Sequence, residues 1–316
     1  MKKLGLALAA LVIAIVLIKR DQILLHYVAS KIEDHDLDAR IRLLAPNVIV
    51  RLPETSATGT ATQTTTQKIA PVTNQATTQA TTEIASEPLP VVILFHGCAG
   101  MREPFSGQWA QLVTDAGYAA MIVDSNGPRG IAYEEALKTV CNGKALLGVE
   151  RAGDIQAAIA MAMGDPRLDE NNIILAGWSH GAWSIMDYLT FDLKNESPAG
   201  IIRAQNNMAD PAGTILFYPY CGLGARLRFS DWKIDLPTQV FIAGKDTMVR
   251  ADQCLKLLKG VEKQTTNFNL TLYEDADHVF DDPFMDKAYQ YMYNHDYHRD
   301  AADKFTAFLA DRLDGS

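Results

Sequence analysis

Gly177-Trp178-Ser179-His180-Gly181 lies between Asn172-Ile173-Ile174-Leu175-Ala176, a short apolar run of β character, and Ala182-Trp183-Ser184-Ile185-Met186-Asp187-Tyr188-Leu189, which reads as helix. A serine on a sharp strand-to-helix turn needs glycine two positions before and two after it, because a Cβ at either place would meet the tight backbone. The turn pushes the hydroxyl out of the fold, where a base and an incoming carbonyl both reach it. It also sets the serine at a helix N-terminus, whose free N–H groups favour a developing oxyanion. The competing reading is an ordinary glycine-flanked loop serine, and the residues downstream decide between them.

A nucleophilic serine needs a general base, and the base needs an acid to hold its tautomer. Where such a turn carries the nucleophile, the acid and then the histidine follow it along the chain. Leu236-Pro237-Thr238-Gln239-Val240-Phe241-Ile242-Ala243 reads as a buried strand running into Gly244-Lys245-Asp246. A second apolar run, Phe268 to Tyr273, leads to Glu274-Asp275-Ala276-Asp277-His278. Ser179, Asp246 and His278 are therefore the expected nucleophile, acid and base, with Asp252 or Asp277 as alternative acids. His180 follows Ser179 directly, so its side chain is expected to point away while its N–H serves the oxyanion. His295 and His298 read as surface or helix-capping residues, and His26 and His35 precede the catalytic region. Asp275, Asp277, Asp281 and Asp282 lack calcium-loop spacing and read as a solvated acidic loop. No metal site or cofactor is expected.

Val91-Val92-Ile93-Leu94-Phe95 has the composition of a central strand and ends in His96-Gly97-Cys98-Ala99-Gly100. The N–H groups of Cys98 and His180 are expected to converge on the carbonyl oxygen, with His96 buttressing the turn. From about Val91 to Leu313 the chain resembles the α/β-hydrolase superfamily and, within it, the dienelactone hydrolase-like group. The resemblance rests on His96 to Gly100, on Val123-Asp124-Ser125-Asn126-Gly127-Pro128-Arg129-Gly130, on the serine turn, on Ala243-Gly244-Lys245-Asp246 and on Asp277-His278. It implies an α/β-hydrolase fold, a mainly parallel sheet with helices on both faces, and hydrolysis of a small-molecule ester. Two departures stand out. The founding dienelactone hydrolases carry cysteine where this chain has Ser179, and a glutamate beside the oxyanion turn where it has Gly97. A conventional serine triad thus replaces the tuned thiol, which leaves ester hydrolysis as the implied chemistry and argues against a dienelactone substrate.

The first part of the 316-residue chain does not read as globular. Met1-Lys2-Lys3 precedes an uncharged apolar run from Leu4 to Ile18 and then Lys19-Arg20-Asp21, so residues 1–20 are a signal peptide or, preferably, an uncleaved membrane anchor. Residues 21–46 are a juxtamembrane segment, and 47–53 alternate like a possible first strand. The Thr/Gln/Ala-rich stretch 54–89 lacks bulky apolar residues and reads as a disordered linker or insertion. From 90 to 316, strands and helices alternate as a parallel sheet covered on both faces demands. Phe191 to Pro211, polar and small, reads as a lid-like excursion.

The four cysteines allow three pairings, and all are expected after C-terminal strand ends. Adjacency of strands favours Cys98–Cys141 and Cys221–Cys254, which suits an exported protein in an oxidising compartment. A net charge of −9 with no basic cluster argues against nucleic-acid partners. Arg102 and Arg129, on loops facing the expected site, and Trp178 beside the serine are candidate substrate contacts; surface salt bridges are the alternative for the arginines. The favoured function is an exported ester hydrolase acting through an acyl-enzyme. The alternatives are a prolyl-oligopeptidase-type peptidase, disfavoured by the lack of a propeller-sized domain, and a non-catalytic interaction module, disfavoured by the intact triad. Oligomeric state is not legible in the sequence.

Overall fold

The computed structural model describes residues 36–54, 67–68, 87–201 and 208–314, with isolated positions before residue 36. Helix α1 (Leu37–Leu44) and strand β1 (Val48–Arg51) come first, followed by a two-residue strand β2 (Gln67–Lys68). Then follow β3 (Leu89–Phe95), α2 (Glu103–Asp115), β4 (Ala119–Val123), α3 (Tyr133–Lys138), α4 (Gly148–Met163) and β5 (Leu168–Trp178). The chain continues through α5 (His180–Tyr188), β6 (Gly213–Phe217), β7 (Thr238–Ala243), α6 (Ala251–Glu262), β8 (Phe268–Tyr273) and α7 (His295–Leu313).

The strands form one sheet in the order β2-β1-β4-β3-β5-β6-β7-β8. Neighbours from β4 through β8 pair in parallel, whereas β1 is antiparallel to both β2 and β4. The apolar runs of β3 to β7 suit strands buried on both faces. In β3, Val91, Ile93 and Phe95 face one core and Val92 and Leu94 the other. The first core is closed by α1, α4, α5 and α6, and the second by Phe105, Trp109 and Val113 of α2 and Phe305, Phe308 and Leu309 of α7. Because β3, β5, β7 and β8 run parallel, their C-terminal ends share one edge of the sheet. That is where ligands meet open α/β sheets.

Residues ahead of position 90 are also part of this packed unit. Asp36 caps α1 by accepting the Ala39 N–H at 2.5 Å, a standard helix start. Leu37 and Leu44 join the first core, and Arg40 is buried against α4, where it pairs with Asp154 at 2.6 Å. Residues 37–44 are thus a docked helix rather than part of a juxtamembrane segment. Apart from isolated positions, the apolar leader and most of the 54–89 stretch lie outside the described residues. No described helix is long and apolar enough to cross a membrane. The centre of the 191–211 excursion, residues 202–207, also lies outside the described residues. What precedes it packs on α4, with the Ala199 N–H donating to Val149 O at 3.2 Å.

Candidate active site

The strand-to-helix turn at Ser179 is as tight as its glycines require. A Cβ on Gly181 would stand 2.2 Å from Phe95 O, and one on Gly177 would stand 2.7 Å from Ala182 N. Ser179 itself sits at φ 52°, ψ −108°. This is strained backbone for a residue with a side chain, of the kind held only where the surroundings over-determine it. Its N–H donates to Phe217 O at 2.9 Å, fastening the turn to β6.

Two loops at the same edge bring the expected partners to it. His278 follows β8, and its Nε2 lies 3.0 Å from Ser179 Oγ. Its Nδ1 lies 2.7 Å from Asp246 Oδ2, in the loop after β7. Asp246 Oδ1 accepts the N–H groups of Met248 and Val249 at 2.9 and 2.7 Å, which fixes the carboxylate. The imidazole and the carboxylate are both nearly excluded from solvent, at 5% and 1% side-chain exposure. An Nδ1–H held by the carboxylate leaves Nε2 free to take a proton from the hydroxyl. The alternative acids are bonded to other groups than the imidazole. Asp277 is half-buried and accepts the Thr247 N–H, and Asp252 pairs with Arg250 on the surface.

The His96-Gly97-Cys98 turn after β3 lies against the serine: a Cβ on Gly97 would be 3.8 Å from Ser179 Cβ. The Ser125 N–H donates to His96 Nε2 at 2.9 Å, so His96 carries its proton on Nδ1, which sits 2.6 Å from Gly97 O. That bond polarises the peptide whose N–H belongs to Cys98. His180 opens α5, placing its N–H at a helix N-terminus. Cys98 is bonded to Cys141, and Cys221 to Cys254. Among the described residues no cysteine is free. The first bridge anchors the His96-Gly97-Cys98 turn to the segment after α3. Both point to an oxidising environment.

The dienelactone hydrolase family model matches residues 76–313. The chain belongs to the dienelactone hydrolase family. No curated protein matches its sequence. Among solved structures it is similar to the dienelactone hydrolase-like promiscuous phosphotriesterase P91 from metagenomic libraries, at 15% identity and TM-score 0.54 over 72% of this chain and 88% of that one. It is also similar to the carboxylesterase Cest-2923 from Lactobacillus plantarum, at 15% identity and TM-score 0.53 over 73% and 88%. These likenesses show a shared α/β-hydrolase fold.

Within this dienelactone hydrolase family member, the expected substrate contacts are placed otherwise. Arg129 donates to both oxygens of Asp154, at 2.8 and 3.0 Å, and to Ser125 O. Arg102 binds Asp282 at 2.5 Å and Phe284 O at 2.6 Å, tying the loop before α2 to the histidine loop. Trp178 is a core residue, stacked on Phe217 at 5.0 Å and donating to Asp281. All three are occupied in holding loops together. His295 is exposed, and half-buried His298 packs on Trp109. Among the described residues no group of three or more His, Cys, Asp or Glu is arranged to hold a metal.

The acidic loop is not wholly solvated. Asp281 and Asp282 are 0% and 2% exposed. Asp281 accepts Trp178 Nε1–H at 2.9 Å and Tyr218 O–H at 2.7 Å. Burial pushes its pKa up to about 7, against those two bonds. Val279, at φ 53°, strains the backbone just after His278. Burial, followed by the charge of Arg151, lowers the pKa of His96 and lowers that of His180 further, so both rings are neutral.

Proposed function

We propose that this protein is an exported serine hydrolase that cleaves a carboxylic ester through an acyl-enzyme. Ser179 Oγ attacks the ester carbonyl while His278 Nε2 takes its proton. Asp246 holds the Nδ1–H and stabilises the imidazolium. The N–H groups of Cys98 and His180 receive the tetrahedral oxyanion. Proton return from His278 releases the alcohol, and water then frees the acid by the same steps. The observation that carries this reading is the unbroken hydrogen-bond chain from Ser179 through His278 to buried Asp246. Membership of a hydrolase family supports it, and the two disulfides support an exported setting. In this reading the apolar leader tethers the enzyme to a membrane.

A fluorophosphonate probe tests the chemistry. It should label the wild type and leave Ser179→Ala unlabelled. Absence of labelling in folded wild type would refute a serine hydrolase. Short- and long-chain p-nitrophenyl esters set against peptide p-nitroanilides then divide esterase from peptidase, with esters expected to turn over.

A further inference from the structure

A buried guanidinium lies behind the candidate oxyanion hole and touches both of its halves. Arg151, in α4, is 0% exposed. Its Nη1 donates to His96 O at 2.8 Å and stands 3.1 Å from His180 Nδ1, while its Nε donates to Ser125 Oγ at 2.9 Å. His96 opens the turn that carries Cys98, and His180 carries the other donor N–H. Ser125 is the residue whose N–H fixes the His96 tautomer. One rigid side chain therefore joins the ends of β3, β4 and β5 at the point where the two oxyanion donors meet.

The charge of this arginine has no contact ion pair; Asp154 and Asp124 favour it only from beyond contact. Among the described residues no carboxylate forms an ion pair with it, and its Nη2 is buried without a hydrogen bond. The nearby buried carboxylate, Asp154, is already taken by Arg40 at 2.6 Å and Arg129 at 2.8 Å. Burial pushes the pKa of Arg151 down to about 10, which leaves it protonated at neutral pH. A buried charge without a contact partner disfavours the folded state, and such arrangements persist where a site needs them. Two neutral histidines beside it, both kept from protonation, leave the guanidinium as the positive charge behind the turn.

We infer that Arg151 is a positioning residue for the oxyanion hole, locking the His96–Cys98 turn to His180 and placing a fixed positive charge behind both donors. The inference rests on the serine-hydrolase reading above. The interaction strengthens as negative charge develops on the substrate oxygen, so its loss falls on the transition state rather than on substrate binding.

The test uses the full chain, a p-nitrophenyl ester and a boronic acid whose tetrahedral adduct places an oxygen where the oxyanion forms. Arg151→Met should lower kcat about 100-fold, the scale of losing one oxyanion donor, with KM within about 3-fold and boronate affinity falling in parallel with kcat. Arg151→Lys keeps the charge without the fork and should recover part of both losses. A folded Arg151→Met with kcat within about 3-fold of wild type overturns the inference. So does a variant that loses only thermal stability. Should Arg151→Met fail to fold, Arg151→Lys decides: a fall in kcat of about 10-fold with parallel loss of boronate affinity supports the role, and unchanged values refute it. Fluorophosphonate labelling of wild type, run alongside, separates failure of this inference from failure of the hydrolase reading.

Discussion

Trp178 and Asp281 meet through a 2.9 Å hydrogen bond from the indole N–H to a fully buried carboxylate. Trp178 immediately precedes Ser179, and Asp281 lies three residues beyond His278. The bond therefore spans the strand that leads to Ser179 and the loop that carries His278, and Tyr218 just after β6 joins it at 2.7 Å. Its ring also packs on His278, with centroids 4.6 Å apart. Asp281→Ala strands two buried donors, at a cost of about 1–3 kcal/mol each. It also frees a strained loop, so kcat should fall by roughly 10- to 100-fold as His278 loses its position. Asp281→Asn, which accepts from Trp178 and donates to Tyr218, should fall between Ala and wild type. Urea denaturation and ester kinetics on the three proteins check both parts. Equal kcat in Asp281→Ala and wild type would show that the loop keeps its geometry without the carboxylate.

Asp246 and Asp277 both lie near His278, and only one reaches its ring. Asp246 Oδ2 is 2.7 Å from Nδ1, whereas Asp277 Oδ1 accepts the backbone N–H of His278 and that of Thr247. Asp246→Asn should therefore lower kcat by roughly 10³- to 10⁴-fold through loss of the right tautomer. Asp277→Asn keeps an acceptor for the same turn and should cost only a few-fold. Steady-state kinetics on the two variants discriminate cleanly, and the reverse ranking would move the acid to Asp277.

The two disulfides differ in what they hold. Cys98–Cys141 closes a separation of 43 residues and Cys221–Cys254 one of 33, so loop entropy gives each a similar stabilisation, about 2–4 kcal/mol. Only the first grips the His96-Gly97-Cys98 turn beside Ser179. Replacing Cys98 and Cys141 by alanine leaves the backbone N–H of residue 98 in place, yet should lower both the melting temperature and kcat. Replacing Cys221 and Cys254 should lower the melting temperature by a comparable amount with kcat nearly unchanged. Calorimetry and ester turnover of the two double variants give the comparison. Matching losses of kcat would remove any special role for the first bridge.

Much of this arrangement was legible locally. The glycine spacing around Ser179 reports a backbone that no side chain fits. The apolar runs ending at residues 95, 176, 243 and 273 lie in strands, and the chain order selects Asp246 and His278, which form one hydrogen-bond chain with Ser179. The cysteine pairing followed because all four lie beyond strand ends at one edge. The charged interior was not legible. Arg40 and Arg129 meet one carboxylate, Asp154, from two other segments, and Arg151 is buried beside the serine turn; no local pattern distinguishes such arginines from those that face water. Asp281 looks like its neighbours Asp275, exposed, and Asp277, half-buried, because the groups that bury it, Trp178 and Tyr218, lie 103 and 63 residues away. Helix α1 is short and carries Asp38, Arg40 and Arg42 among its apolar Leu37, Ile41 and Leu44, and its docking adds the Arg40–Asp154 ion pair to that narrow apolar face.

Asp187 gives the protein a pH dependence of definite sign. It lies in α5 with no exposure; Oδ1 accepts the Arg226 N–H at 2.7 Å and Oδ2, beside the Trp183 indole, has no hydrogen bond. Burial pushes its pKa up from 3.8 to about 8. Between those values the folded chain holds a proton that the unfolded chain has released. The contribution of Asp187 to stability then falls as pH rises from about 4 to about 8 and levels off above it, against the rising contribution of His96 and His180, whose pKa values burial lowers. Asp281, raised to about 7, adds a slope of the same sign over a narrower window. Asp187→Asn preserves the shape and the acceptor while staying neutral throughout. Its melting temperature should match that of wild type near pH 4 and exceed it progressively toward pH 8, by about 2–4 °C for each kcal/mol recovered. The falling contribution that remains in Asp187→Asn should be removed when Asp281→Asn is added, which leaves the opposite slope of His96 and His180. Melting curves at half-unit pH steps resolve the two contributions, and parallel curves for wild type and Asp187→Asn would mean that Asp187 titrates alike in the folded and unfolded chains.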